Sequence, residues 1–248
     1  RNIETMPCRR LPNSDWSRIA ALKHAIEMEG VKHNDQLVLS YRTIQDASHI
    51  LHALQKAQKE YQLCYDNQIK NNKTFKTETQ TARMYISHFI QVMNLAIQRG
   101  ELRKEIKTAY GLDPKTNSVP SLTLEQDIIE WGEKIIKGEE GRTQKGGIPI
   151  YNPTIAKVKV HYNIFAEHLF NMRVLRDNTA RALDTITKMR PAADDIILDI
   201  WNQVELTYDD LPFNLKNEKC QSFGLVYIYR KSEKAKMKAD EMQNSLNF

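Results

Sequence analysis

Tyr65 and Gln68 stand one helical turn apart, and 111 positions later Arg176 and Thr179 keep the same spacing. Each pair is flanked by the same acid and amide, Asp66-Asn67 and Asp177-Asn178. A guanidinium, two carboxylates, a phenol, a hydroxyl and a carboxamide gathered in one layer of a helical bundle would suit a small anionic ligand. Arginine grips carboxylate or phosphate through two parallel bonds, and bundles place such sites between facing helices. The competing explanation is a polar layer that fixes helix register and holds no ligand. Arg176 shares its heptad column with Ile155, Tyr162, Leu169 and Leu183, so its charge needs a carboxylate or solvent, with Asp66 the candidate partner. No nucleophile beside a base emerges, and no catalytic residue is assigned.

Other reactive side chains give weaker patterns. His49 and His52 are three apart, and His161 and His168 seven apart with Glu167 adjacent, but the chain contains no Glu-x-x-His of the kind that builds a di-iron bundle. A surface role for these histidines is the better reading, and neither metal nor cofactor is expected. Gly141-Arg142-Thr143-Gln144-Lys145-Gly146-Gly147 has the composition of an anion-binding loop without the residue order of a phosphate cradle, and reads as a flexible crossover. Cys8, Cys64 and Cys220 have no metal-ligand spacing and fit reduced cytoplasmic thiols.

The elements that position these residues are long amphipathic helices. One heptad column reads Ile44, Leu51, Gln58, Tyr65, Asn72, and its companion reads Ala47, Leu54, Tyr61, Gln68, Phe75. Shifted by 111, the columns become Ile155, Tyr162, Leu169, Arg176, Leu183 and Val158, Phe165, Met172, Thr179, Ile186. Thr43-Ile44 recurs as Thr154-Ile155, and Tyr110-Gly111-Leu112 recurs, two residues later still, as Phe223-Gly224-Leu225. The expected fold is all-α: two pseudo-repeated antiparallel helical hairpins packed as a bundle, with short connecting helices and at most one small two-stranded β patch. The hairpin turns fall at Thr79-Gln80 and at Arg190-Pro191, where proline suits the first turn of a helix. A short helix capped at Asn13 or Ser14 ends on Gly30, and another over Leu124–Ile136 is anchored by Trp131. The chain divides into 1–137 (arm, capping helix and first hairpin), a Gly-rich crossover at 138–153 expected to be mobile, a second hairpin at 154–230, and a charged tail at 231–248. Together they are expected to form one compact unit. Leu225–Tyr229 reads as a strand, and Ile148-Pro149-Ile150 is the only comparable run after residue 120.

Apolar residues at 41% and charged residues at 27% place the chain among ordinary globular proteins. No stretch approaches the roughly 20 apolar residues of a membrane helix, and the start lacks a signal-peptide layout, so a cytoplasmic protein without membrane contact is expected. The net charge of +5 comes from residues 41–112, which hold eleven Lys and Arg against six Asp and Glu. That mild excess falls short of the concentrated basic stripe that phosphate backbones require.

Arg9-Arg10-Leu11-Pro12-Asn13, Tyr85–Val92 with Asn94–Ile97, Val119-Pro120-Ser121-Leu122, Glu130-Trp131-Gly132-Glu133, Asp177–Ala182, Trp201-Asn202 and Gly224–Arg230 together cover most of the chain. In these motifs the sequence resembles an uncharacterised family of soluble bacterial helical-bundle proteins. The resemblance implies a self-contained soluble protein and carries no activity. The expected function is a non-enzymatic interaction or scaffold protein, with an unknown protein partner or self-association through aromatic surface at Trp16, Tyr41 and Tyr227–Tyr229. Two alternatives stay open: small-anion binding or an enzyme site in the polar layer, and weak nucleic-acid binding by the basic first hairpin.

Overall fold

A computed structural model describes residues 8–31 and 37–229. They form β1 (Cys8–Arg9), α1 (Asp15–Gly30), α2 (Tyr41–Gln98), a 3-10 helix (Lys104–Tyr110), α3 (Glu125–Gln144), α4 (Ile155–Thr207), α5 (Phe213–Ser222) and β2 (Tyr227–Ile228). The class is all-α with one small antiparallel β patch, as expected. The sequence expects the patch without naming the partner of Leu225–Tyr229. β2 pairs with Cys8–Arg9 of the N-terminal arm, not with 148–150. The charged tail at 231–248 lies outside the described residues.

The predicted hairpin turns are absent. α2 is one helix of 58 residues and α4 one of 53, with Pro191 inside it. Around residues 71–81 the polar run that resembles a loop meets its hydrogen-bonding needs within the helix. Asn71 donates to the Asn67 carbonyl (2.8 Å), Thr79 to Phe75 (2.7 Å) and Thr81 to Thr77 (3.0 Å). Such back-bonding leaves the backbone ladder intact, so a loop-like composition does not require a loop.

Helix ends follow local chemistry. Ser14 caps α1 through a reciprocal bond with Ser17, accepting from its N–H at 3.2 Å while the Ser17 hydroxyl accepts from the Ser14 N–H at 3.0 Å. Gly30 is not the left-handed cap expected of it. It is the last helical residue, followed by Val31 at φ −81°, and Glu29 ties the exit by accepting the N–H groups of Val38 (2.7 Å) and Leu39 (3.0 Å). Beyond α2, Gly100 at φ 77° turns the chain back. Gly111 does the same at φ 70°, the Leu112 N–H reaching the Lys107 carbonyl at 3.0 Å. The loop that follows is held by side-chain donors. Lys107 Nζ bonds the Thr116 carbonyl (2.7 Å) and Asn117 Oδ1 (2.8 Å), and Arg83 Nε bonds the Leu122 carbonyl (2.7 Å).

α3 runs eight residues past the predicted end at Ile136, so 138–144 of the supposed mobile crossover is helix. Gly138 explains why glycine sits there. A Cβ at that position would stand 2.6 Å from the Tyr110 ring and 2.7 Å from the Ala109 carbonyl, so only glycine admits the 3-10 helix so closely. Trp131 is not the anchor of α3 either. It is half-buried beneath Lys134, whose Nζ sits 4.6 Å from the ring centroid, and the buried positions are Ile128, Gly132, Ile135, Ile136, Gly138 and Glu139.

Packing groups the chain into two compact units, one drawn from Arg1–Gln62 and Arg181–Phe248, the other from Leu63–Ala180. This grouping differs from the sequence division at 137, 153 and 230, since each unit takes a stretch of both long helices. Leu22, Leu54, Ile197, Trp201 and Phe223 are at the core of the first unit. Phe89, Met93, Ile128, Ile135 and Phe165 are at the core of the second. Burial agrees at positions 111 apart: Ala47 with Val158, Leu54 with Phe165, Phe75 with Ile186, Ile86 with Ile197, Phe89 with Ile200 and Met93 with Val204 are all buried. Leu39 and Ile150 agree as well, and each donates its N–H to a buried glutamate, Glu29 and Glu139 respectively.

Candidate functional site

The six residues singled out in the sequence all belong to the second unit. None of residues 59–74 is buried, so this part of α2 carries its polar groups without a large desolvation cost. Tyr65 and Asp66 are exposed, as is Asp177 on α4, while Gln68, Arg176 and Thr179 are half-buried. Thr179 turns its hydroxyl inward along its own helix, donating to the Leu175 carbonyl at 3.0 Å.

Arg176 meets its charge requirement through α3. Its guanidinium makes two bonds to Glu125, Nη2–Oε1 at 3.1 Å and Nη1–Oε2 at 3.3 Å, and lies 5.9 Å from the centroid of the Phe75 ring. The arginine side chain keeps 41% of its surface exposed and Glu125 keeps 34%, so this is a hydrated fork and not a buried ion. With both of its terminal nitrogens bonded to Glu125, this guanidinium offers a further anion little. Arg176→Leu is therefore expected to change unfolding free energy by less than about 1 kcal/mol, the range of exposed ion pairs. Urea denaturation checks this, and a loss several times larger would mean that the fork organises the layer.

A tighter constellation, not anticipated as a site in the sequence, lies where α3 meets the 3-10 helix. Glu139 is fully buried. Its carboxylate accepts from the Tyr110 hydroxyl, from Arg142 Nε (3.0 Å) and Nη2 (2.9 Å), and from the Ile150 N–H (2.9 Å). Arg142 Nη2 also donates to the Ile148 carbonyl at 2.6 Å. Burial, then the Glu139 bond, push the Tyr110 hydroxyl well above the ordinary tyrosine range, which keeps it a neutral donor. The sequence signal was present, since Glu139 and Arg142 are three apart on one helix face. Tyr110 stands 29 positions away, and only the fold joins it to them.

Other groups sort simply. His161 stacks on Tyr85 with ring centroids 4.2 Å apart, and His168 bonds Glu78, so both histidines link α4 to α2. Among the described residues no cluster of His, Cys, Asp and Glu side chains is placed to hold a metal ion. Cys220 is buried, and that burial pushes its thiol above the usual range, while Cys8 is exposed. No helix of the described residues is long and apolar enough to cross a membrane.

Two open concavities lie on the described residues. The larger, about 470 Å³, is lined by Ala109, Lys137, Gly138, Gly141, Arg142, Lys145 and Gly147, and the smaller, about 230 Å³, by Arg83, Ser87, Val119, Pro120, Leu122 and Thr123. Neither is lined by any of the six residues predicted from sequence. No family model, no curated protein and no solved structure matches the chain.

Proposed function

We propose that this protein is an internally duplicated, non-enzymatic interaction module that receives an amphipathic helix of a partner protein on the outer face of α4. The observation that carries the reading is a row of exposed apolar side chains: Val160 (55% exposed), Ile164 (39%), Phe170 (68%) and Val174 (42%). At about 100° per residue these four fall within an arc of roughly 120° on one helix, the width of an apolar stripe that normally faces a core. Singly exposed apolar residues are ordinary, but a stripe along one face marks a contact surface. Glu167 is the one charged residue within the arc, flanked by Asn163 and Asn171, so a fitting partner presents an apolar stripe interrupted by a basic residue. The matched burial of residues 111 apart supports the duplication. A fork already closed between Arg176 and Glu125 weighs against the anion-binding alternative in the polar layer.

Phe170→Glu tests the reading. The side chain is exposed, so stability should move by no more than about 0.5 kcal/mol while partner binding falls. Affinity capture with the original chain, with Phe170→Glu and with a Trp16→Glu control on the other unit provides the comparison. The proposal expects a protein retained by the original and the control and lost from Phe170→Glu, its binding restored by no substitution outside the stripe. Identical captures from all three would overturn it. Light scattering that shows a dimer abolished by Phe170→Glu would replace the helical partner with a second copy of this chain.

A further inference from the structure

The larger concavity has a chemistry of its own, and we infer that it is a binding site for a small phosphoryl-bearing anion. It lies wholly within the second unit, between the last turns of α3, the loop at 145–147 and the end of the 3-10 helix at Ala109. Three cationic side chains line it, Lys137, Arg142 and Lys145, and three of its other positions are glycines. The lining residues 137, 138, 141, 142 and 145 recur at the spacing of a single helix face, so the basic groups lie along one side of the end of α3.

Arg142 is the built part of the site. Its side chain is only 10% exposed, and its Nε and Nη2 are held by Glu139, Tyr110 and the Ile148 carbonyl. Nη1 takes part in none of these bonds and lies close to Gly147, where a Cβ would stand 2.8 Å from it. The guanidinium is thus held in place by acceptors while Nη1 keeps its donor capacity beside Gly147, another residue lining the cavity, which lowers the ordering cost of gripping an oxyanion. Lys145 is exposed at the rim, and Lys137 is bound only to Glu133 by an i,i+4 contact of 3.2 Å, 76% exposed on the lysine side. Such pairs are weak and exchange readily for a multivalent anion.

Two features oppose an anion here, and both are offset. A helix C-terminus is the negative end of its dipole. Two of the carbonyls at this end are already bonded, Arg142 O by the N–H groups of Lys145 (3.2 Å) and Gly147 (3.1 Å) and Thr143 O by Gly146 (3.0 Å), which reduces the negative end of the dipole. Glu139 is the other, but its charge is paired with Arg142 and its oxygens also accept from Tyr110 and the Ile150 N–H, so none is left without a donor. Glu140, the next carboxylate, is paired with Lys159 at 2.7 Å.

Gly141 makes a clean test possible. A Cβ there meets nothing within 4 Å, so Gly141→Leu can fill the floor without a clash, and leucine is a better helix former than glycine. Inorganic phosphate is titrated into the full chain at pH 7.5 and constant ionic strength, with amide shifts of Gly138, Gly141 and Gly147 as the readout. The expected result is saturable shifts confined to this face. Gly141→Leu should abolish them with an unchanged or raised melting temperature, and the Lys137→Gln/Lys145→Gln pair should weaken binding at least about tenfold. A phosphomonoester and free phosphate titrated in parallel distinguish a phosphorylated metabolite from the bare ion by which saturates first. Shifts that rise linearly without saturating, or that persist in the double lysine variant, overturn the site. Should Gly141→Leu fail to fold, the double variant still decides, because both lysines are exposed.

Discussion

Glu139→Gln is expected to cost about 3–5 kcal/mol of unfolding free energy, while Glu29→Gln should change it by less than about 1 kcal/mol. The two glutamates look alike from the backbone, each buried at the end of a short helix and each holding an N–H of the segment that leads into a long one. Their side-chain surroundings differ. Both oxygens of Glu139 are occupied by donors, one of them a guanidinium that is itself 90% covered. An amide in its place keeps one acceptor, turns two N–H bonds toward other donors, and leaves Arg142 without its counter-ion, the change that makes breaking a buried pair severe. Glu29 gives Oε1 to Val38 and Leu39, and its Oε2 is buried with no partner among the described residues. Glutamine there keeps the useful oxygen and removes a charge that no cationic side chain among the described residues matches. Urea denaturation of both variants gives the comparison, and equal losses would show that the backbone bond, common to the two, is what each carboxylate supplies.

What could be read from the sequence was phase, and what could not was direction and distance. Core positions at heptad spacing, Leu51, Leu54, Phe165 and Leu169 among them, are buried because burial on a helix is a local consequence of its period, but Leu183 of the same columns is 40% exposed. Chain reversal at Gly100 and Gly111 was legible for the same local reason, a positive φ that glycine adopts without strain. Whether α2 continues through Asn71–Thr81 depends on threonine and asparagine side chains bonding their own helix, and composition alone favours the loop. The helix α5 gave no periodic signal, with only Lys216 and Cys220 of its ten residues buried. Lys107, 1% exposed, reads as a surface residue in any one-dimensional account, and only its bonds to Thr116 and Asn117 explain its burial. The candidate site shows the same limit. Arg176 is expected to reach a carboxylate or solvent, with Asp66 as the candidate, whereas it forks onto Glu125, which lies 51 positions away where no spacing rule reaches.

Pro191→Ala is expected to stabilise the protein by about 1–2 kcal/mol, and Gln80→Pro, 111 positions earlier, to destabilise it by about 3 kcal/mol or more. Both follow from continuous helices where the sequence suggests turns. Inside α4 the Pro191 ring removes an N–H and crowds the carbonyl of Thr187, a cost of about 3 kcal/mol that alanine relieves. Part of the gain is lost because proline also narrows the unfolded ensemble, worth about 0.4–1 kcal/mol. Tertiary contacts explain why the helix survives the proline. Ile186, Ala193 and Ile197 are buried on either side of it, and two double-bonded ion pairs to α1 straddle it, Arg190 to Asp15 (2.8 and 2.8 Å) and Arg18 to Asp194 (2.8 and 2.9 Å). The hydrogen bond from Arg190 is the main reason that the Asp15 carboxyl is held below the usual carboxylate range. Gln80 is exposed within α2, so proline there has no such contacts to offset it. At the first turn of a helix proline would be welcome and alanine neutral, so a hairpin at these positions reverses the sign of both effects. Denaturation midpoints of the two variants therefore separate one long helix from two short ones, and a stable Gln80→Pro protein would restore the turn.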